Sequence, residues 1–219
     1  MKMTPIVCAI ALCLSTSAFD AIAGASDAAS APAANTTAAP PAAPKLHAAL
    51  RSLWQGHVEH ARAYAMAVKS GDSAAASRAA DDVVANAKQI ADAVGGFYGA
   101  PAGKQMLTLL AGHWGAVKAM TDAQKAGDSA ANTKAMQDLT ANAGEIAKFL
   151  SGANPNLPED AVRGLLMTHG GHHAQQIGQI MKGDATGEAN TWKMMRAHMD
   201  TIADALADGI AKQFPAKAT

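Results

Sequence analysis

The chain of 219 residues has no charge imbalance, few aromatic residues and only two cysteines. Basic and acidic side chains number 18 each, and no block of Lys or Arg occurs. Binding to the phosphates of nucleic acids depends on such a positive surface, so the composition argues against a nucleic-acid partner. Both cysteines, Cys8 and Cys13, lie near the start. The rest of the chain therefore offers no disulfide and no thiolate ligand.

The sequence also lacks the motifs of several common enzyme classes. It contains no H-E-x-x-H, no G-x-S-x-G, no Gly-rich phosphate loop and no C-x-x-C-H for covalent haem. The Glu-x-x-His motif of ferritin-like di-iron proteins is missing as well. These absences favour a role other than that of an ordinary hydrolase or transferase.

The first segment is typical of an export signal. Residues 1–23 combine the basic Lys2 with an apolar stretch and with the small residues Ala21 and Ala23, which fit cleavage after Ala23. Residues 24–44 are mainly Ala, Pro, Ser and Thr without periodicity, which predicts a disordered tether. The sequence thus predicts a periplasmic or secreted protein, and no later segment predicts a transmembrane anchor.

From residue 45 onward the sequence repeats with a period of 56 residues. The segment LWQGHVEHARAYAMAVKSGD (53–72) aligns without gaps on LLAGHWGAVKAMTDAQKAGD (109–128), and a third copy follows at the same step. Self-similarity at a fixed period indicates that one structural unit is repeated. We therefore expect three equivalent units.

Each unit reads as two helices joined by a Gly-Asp turn. Apolar residues recur at helical spacing on both sides of the Gly-Asp pair. Glycine suits the left-handed residue that ends a helix, and aspartate suits the N-cap of the next helix. We predict an all-α fold of three tandem αα-hairpins, six helices in one bundle over residues 45–215, followed by a tail at 216–219.

Histidines occupy equivalent positions on the predicted apolar stripe of the three units. In an antiparallel hairpin, residues equidistant from the turn lie side by side, and each of these histidines is about 14 residues from its turn, or roughly 20 Å along the helix. The predicted pairs are His57 with Asn86, His113 with Asn142, and His169 with His198. If the hairpins pack at equal height, these six side chains form one polar layer in the middle of the bundle.

A buried polar layer needs partners, because each unpaired group costs about 1–3 kcal/mol. In one interpretation the four histidines bind a transition metal ion, zinc, copper or nickel, and Asn86 and Asn142 orient two of the imidazoles. The predicted metal ligands are His57, His113, His169 and His198. In the other interpretation, amide–imidazole hydrogen bonds only fix the register of the helices.

Further histidines and methionines lie near this layer. His60, His172 and His173 are at helical spacing from the layer histidines and form a candidate secondary metal site, the alternative being solvated histidines at a helix edge. Met194 and Met195 lie close to the third unit's histidines, and thioether ligands would favour copper. Methionines at helical spacing are more often core residues, which favours packing.

Three short motifs resemble those of a group of small, all-helical bacterial proteins. They are LWQGH (53–57), SGANPNLP (151–158) and DGIAKQFP (208–215), and the similarity spans about residues 46–215. The group carries LW-x-x-H near the start, an ANPN-type loop and an ending like DGI-x-KQFP. The resemblance implies the helical fold and the placement of the four predicted histidine ligands, and it implies no activity.

The sequence as a whole predicts an exported helical-bundle protein that binds a metal ion or small ligand through buried histidines. The first alternative is a structural or interaction module whose His-Asn layer only sets register. The second is a metal-dependent enzyme acting on a small substrate, since a metal with an open position can activate water.

Overall fold

The computed structural model describes residues 43–218, and within that range the chain is all-α. Six helices account for nearly all of these residues. They are α1 (Pro44–Ser70), α2 (Ser73–Tyr98), α3 (Ala100–Ala126), α4 (Ser129–Ala153), α5 (Glu159–Lys182) and α6 (Ala185–Gln213). The predicted all-α class is confirmed. None of the helices in this described range has the length and apolar character that a membrane span requires.

The predicted signal peptide (1–23) lies outside the described residues, as does nearly all of the predicted tether (24–44). Helix α1 begins at Pro44, one residue before the predicted start of the bundle. Proline is well suited to this position, because its fixed φ matches the helix and the first turn needs no donor from it.

A Gly-Asp pair separates the two helices of each hairpin. In the second hairpin, Gly127 has a φ of 72° and ends α3, and the Asp128 carboxylate accepts a hydrogen bond from the Ala131 N–H at 2.9 Å. The other two turns have the same arrangement: Gly71 (φ 78°) with Asp72, and Gly183 (φ 75°) with Asp184. These turns are as predicted, whereas the descent of the hairpins from one repeated unit stays a prediction from the sequence.

Replacing Asp128 by alanine should destabilise the protein by about 1 kcal/mol, because the first turn of α4 loses its capping acceptor. Asp128→Ser is the matched control, since serine also caps helices and should retain most of the stability. Urea unfolding of the three proteins measures the difference. Full stability of Asp128→Ala would show that the carboxylate contributes nothing as a cap.

The six helices close into a ring in chain order. Each helix packs against its neighbours in the chain, and α6 packs back against α1. Helices α1, α3 and α5 also contact one another across the centre. Thus α2, α4 and α6 fill the outer positions between them, and the inner faces of α1, α3 and α5 surround the middle of the molecule.

Polar side chains join α1 to α6 where the ring closes. Arg51 donates from Nε to the Asp204 carboxylate at 2.8 Å, and His47 donates to the same carboxylate at 2.8 Å. The second ring nitrogen of His47 lies 3.0 Å from Asp208, and Gln55 donates to Asp200 at 2.8 Å. The hydrogen bond from Arg51 is the main reason why the pKa of Asp204 is lowered. The first and last helices of the bundle are therefore held together although no loop connects them.

Two apolar clusters fill the core, one above and one below the middle of the bundle. The cluster near the start of α1 includes Leu50 and Met106, and the cluster near the Gly-Asp turns includes Val83 and Met120. Along α3 and α5 the buried residues of the two clusters are separated by a short histidine-containing stretch, and along α1 His57 lies at the boundary, beside Val58. The polar centre of the protein is thus enclosed by apolar side chains at both ends.

Candidate metal centre

Four histidine side chains meet where α1, α3 and α5 converge. His57 comes from α1, His113 from α3, and both His169 and His173 from α5. One ring nitrogen from each lies within 4.8 Å of the corresponding nitrogen of the other three. The residues are 3, 4, 1 and 2 % exposed, respectively. We call these four residues the histidine cluster.

Helical periodicity explains why α5 supplies two members of the histidine cluster. Residues four apart in a helix lie on the same face, so His169 and His173 both point to the inner face of α5. Val162 and Leu166 precede them on this buried face, and Ile177 follows. The same apolar stripe that packs α5 into the core therefore carries both imidazoles to the centre.

The four rings are arranged as a distorted tetrahedron. The ring centroids of His57, His113 and His169 form a triangle with sides of 5.5, 5.7 and 5.4 Å. The centroid of His173 lies 4.4 Å from that of His169, 5.8 Å from that of His113 and 6.0 Å from that of His57. In a planar square, two of the six distances between centroids are diagonals and are much longer than the four sides. The six distances here contain no such pair, so the four rings are not arranged as a square.

Four of the eight ring nitrogens of the histidine cluster are buried without a hydrogen-bond partner among residues 43–218. The Nε2 atoms of His169 and His173 lie 3.1 Å apart, at hydrogen-bond distance. Both ring nitrogens of His57, Nε2 of His113 and Nδ1 of His169 are buried without a protein partner. Because each unpaired buried polar atom costs about 1–3 kcal/mol, this concentration of them is unfavourable unless a bound species uses their lone pairs.

Burial keeps the imidazoles of the histidine cluster neutral. Loss of solvent lowers the pKa of His57 to about 3, with positive charge on His113 acting in the same direction. Burial lowers the pKa of His113 to about 4, and it lowers the pKa values of His169 and His173 well below their ordinary value. At neutral pH all four rings therefore carry the lone pair that a metal ion requires.

The predicted partners of the layer histidines donate hydrogen bonds to main-chain carbonyls. Each of these three side chains on the outer helices donates a hydrogen bond to a main-chain carbonyl of the inner helix of its hairpin. The carbonyl lies one helical turn before the cluster histidine of that inner helix. The three bonds run from Asn86 to Leu53 (3.0 Å), from Asn142 to Leu109 (3.0 Å) and from His198 to Leu165 (2.9 Å). These side chains thus fasten the outer helix of each hairpin to the backbone of its inner helix.

The structure brings three of the four predicted ligands together and leaves the fourth outside. His57, His113 and His169 belong to the histidine cluster, and His173 occupies the place that the sequence analysis assigned to His198. His198 lies on the outer helix α6, half-buried, with its ring centroid 5.3 Å from that of His172. The correction follows from the ring architecture, because only α1, α3 and α5 meet at the centre.

The candidate secondary site made of His60, His172 and His173 is not brought together. His173 is in the histidine cluster, His172 lies against His198, and the half-exposed His60 has its Nδ1 atom 4.0 Å from Asp82. The sequence contains a signal for His173 that our prediction did not use. In the 56-residue register, its counterparts are Ala61 and Val117, which are both buried. A histidine at a position that is otherwise apolar is expected to point into the core.

The methionines near the third hairpin are divided between the core and the surface. Met195 and Met199 are fully buried within the apolar cluster at the start of α1. Met167 and Met194 are exposed. This distribution agrees with a packing role for the buried pair.

Comparison with known proteins adds no function to this geometry. No family model, no curated protein and no solved structure matches the chain. The histidine cluster is therefore the feature of the molecule from which a function can be inferred.

Proposed function

We propose that this protein binds a transition metal ion through the histidine cluster, and that Zn²⁺ is the ion that fits it best. The observation that carries the proposal is the convergence of four buried imidazoles whose nitrogens lie within 4.8 Å of one another. Zn²⁺ binds imidazole nitrogen and prefers four ligands in a tetrahedron. Cu(II) and Ni(II) prefer square-planar or tetragonal sites, which the arrangement of the rings does not resemble.

The spacing of the nitrogens supports this proposal. Around a tetrahedral Zn²⁺ with Zn–N bonds of about 2.0–2.1 Å, the ligand nitrogens lie about 3.3 Å apart. The Nε2 atoms of His169 and His173 are already close to this separation, at 3.1 Å. The nitrogens of the other pairs lie within 4.8 Å of one another and would have to move toward the centre when an ion binds.

Copper in its monovalent state is the second candidate. The four imidazoles carry no charge, and apolar clusters lie on both sides of them. A charge in such surroundings is costly, so a monovalent ion has an advantage over a divalent one. Imidazole is also a suitable ligand for copper.

Metal binding explains the geometry better than the two alternatives do. A structural His-Asn network requires amide–imidazole hydrogen bonds, and one such contact, between Asn142 and His113, opposes the lowering of the pKa of that ring. It would account for one of the four rings, and the N–H groups of Asn86 and Asn142 donate to main-chain carbonyls. A metal enzyme requires an open coordination position, and four imidazole ligands would complete a tetrahedron. We therefore propose a metal-binding role without catalysis. The proposed location, periplasmic or extracellular, is supported by the signal-like composition of residues 1–23.

The decisive experiment is to measure metal stoichiometry after equilibrium dialysis. The metal-free protein is dialysed separately against Zn²⁺, Cu⁺ and Ni²⁺ together with a weak competing chelator, and bound metal is measured by elemental analysis. We expect one Zn²⁺ per chain in the wild-type protein and none in His113→Ala. His60→Ala, which removes a histidine outside the cluster, should still bind one ion. Binding that survives His113→Ala would contradict the proposal.

A further inference from the structure

We infer that His172 and His198 form a loading port through which a metal ion enters the histidine cluster. This inference rests on the proposed metal-binding function and extends it to the route of uptake. It assigns a role to two half-buried histidines that lie against each other outside the cluster.

The histidine cluster is closed to solvent. A metal ion that enters from solvent therefore needs a path on which protein side chains can bind it. The four residues are at most 4 % exposed, and apolar side chains cover them at both ends of the bundle. Moving an unliganded ion through apolar surroundings is very costly. Stepwise replacement of its water by protein nitrogens lowers this cost, so the route is expected to pass between helices where imidazoles are partly accessible.

The His172–His198 pair meets this requirement on the side where α5 packs against α6. The ring centroids lie 5.3 Å apart. The Nδ1 atom of His172 is buried and has no hydrogen-bond partner among residues 43–218. His198 uses its Nε2 to donate to the Leu165 carbonyl, which leaves the lone pair on its Nδ1. The pair therefore provides two imidazole nitrogens along a route from the surface, and the nitrogen of His172 lies on its buried side.

The pair adjoins the histidine cluster along the chain and within the same hairpin. His172 immediately precedes His173 in the chain, and His198 and the cluster member His169 lie on facing turns of the same hairpin. The route that we infer therefore begins within the third hairpin, on the same helix that supplies two of the cluster's imidazoles.

Two adjacent glycines make α5 easier to open at this point. Gly170 and Gly171 directly precede His172 in the middle of the helix. A glycine in a helix interior costs about 1 kcal/mol relative to alanine. The space where a side chain of Gly171 would lie is open. Local opening of α5 is therefore less costly beside the pair than it would be in a helix without glycine.

The hydrogen bond to Leu165 does not explain why residue 198 is a histidine. Asn86 and Asn142 make the corresponding bond in the other two hairpins, at 3.0 Å each. An asparagine would therefore serve the structural purpose at position 198. What the imidazole adds is a second nitrogen with a lone pair suited to a metal ion.

The test compares the rate of metal uptake with the affinity at equilibrium. Metal-free full-length protein is mixed rapidly with Co²⁺, whose visible absorption reports a tetrahedral nitrogen site, and release is followed by adding excess chelator. His198→Asn keeps the bond to Leu165, and His172→Ala is the second variant. His60→Ala is the control, because it removes a half-exposed histidine in the first hairpin.

We expect each port variant to slow uptake about tenfold, equivalent to about 1.4 kcal/mol in the barrier. Release should slow by the same factor, because a port changes the barrier and leaves the bound state unchanged. Affinity and stoichiometry should then equal those of the wild-type protein, and His60→Ala should behave like the wild type.

Three results would overturn the inference. If the port variants take up and release metal at the wild-type rates with normal stoichiometry, the port is contradicted and the proposed function stands. If they lose affinity without slower release, His172 and His198 belong to the final binding site and not to a port. Absence of Co²⁺ and Zn²⁺ binding in the wild-type protein would overturn the port and the proposed function together.

Discussion

Replacing His57 by leucine should stabilise the metal-free protein and abolish its response to zinc. Both ring nitrogens of His57 are buried without a protein partner, and leucine is of similar size. The substitution removes these unpaired atoms without orphaning another group, so we expect a gain of about 1–3 kcal/mol. For a domain of this size that gain corresponds to a rise in melting temperature of about 2–4 °C per kcal/mol.

Zinc should raise the melting temperature of the wild-type protein, and by more than the His57→Leu substitution does. A ligand that binds only the folded state stabilises it by about 4 kcal/mol at a thousandfold excess over its Kd. The expected rise in melting temperature is about 10 °C. In His57→Leu the set of ligands is incomplete, and the rise should be small or absent.

Thermal unfolding followed by circular dichroism, with chelator and then with Zn²⁺, measures both effects. His60→Ala lies one turn further along α1, outside the histidine cluster, and should keep the wild-type response to zinc. Strong destabilisation of the metal-free protein by His57→Leu would mean that the imidazole is satisfied by the protein and serves a structural purpose. A wild-type melting temperature that does not change with zinc would contradict the metal site.

Acid should unfold the metal-free protein over a narrow range below pH 6.5. In the unfolded chain histidine has an ordinary pKa of about 6.5, whereas in the folded protein the pKa is about 3 for His57 and about 4 for His113. Below pH 6.5 the unfolded chain therefore binds protons that the folded chain excludes. The free energy of unfolding is fully retained above this pH and falls as the pH decreases toward the folded pKa values.

The slope of this decline should be steep because four histidines act together. Each contributes up to about 1.4 kcal/mol per pH unit, so the histidine cluster as a whole contributes about 5 kcal/mol per pH unit. A typical domain has about 5–15 kcal/mol of stability, which such a slope exhausts within a few pH units. Bound zinc should shift the unfolding to lower pH, since protons must first displace the metal.

Urea unfolding at a series of pH values from neutral to acidic measures this slope. His57→Leu and His113→Leu should each make it shallower by about one proton, and the double variant by about two. Lys134→Ala, at an exposed position on α4, is the control and should keep the wild-type slope. A stability that does not change between neutral pH and pH 5 would show that the buried rings are not neutral in the folded state.

The fold class was predictable because its signals are local. Apolar spacing marks the helices, and the Gly-Asp pairs such as Gly127-Asp128 end one helix and cap the next through contacts within a few residues. The pairing of His169 with the facing turn of α6 was also predictable, since it depends only on distance from the turn. His198 does lie beside α5, where it binds the Leu165 carbonyl.

The membership of His173 and the exclusion of His198 were harder to predict because they depend on long-range packing. The geometry of a hairpin determines only which residues of its inner helix lie beside which residues of its own outer helix. Closure of the ring decides which faces of α1, α3 and α5 meet at the centre. The ring closes where α6 packs against α1, through contacts such as the hydrogen bond from Arg51 to Asp204. No local pattern encodes that closure.

The histidine cluster draws on helices from all three hairpins, which lie far apart along the chain. An ion bound to His57, His113 and His169 would close two long loops of the polypeptide at a single point. Closing long loops restricts the unfolded chain, which is how disulfides stabilise small exported domains. The residues from 43 to 218 contain no cysteine. The metal would then be the crosslink of a helical bundle that has no cysteine in its described residues, and a chelator would open that crosslink as a reductant opens a disulfide.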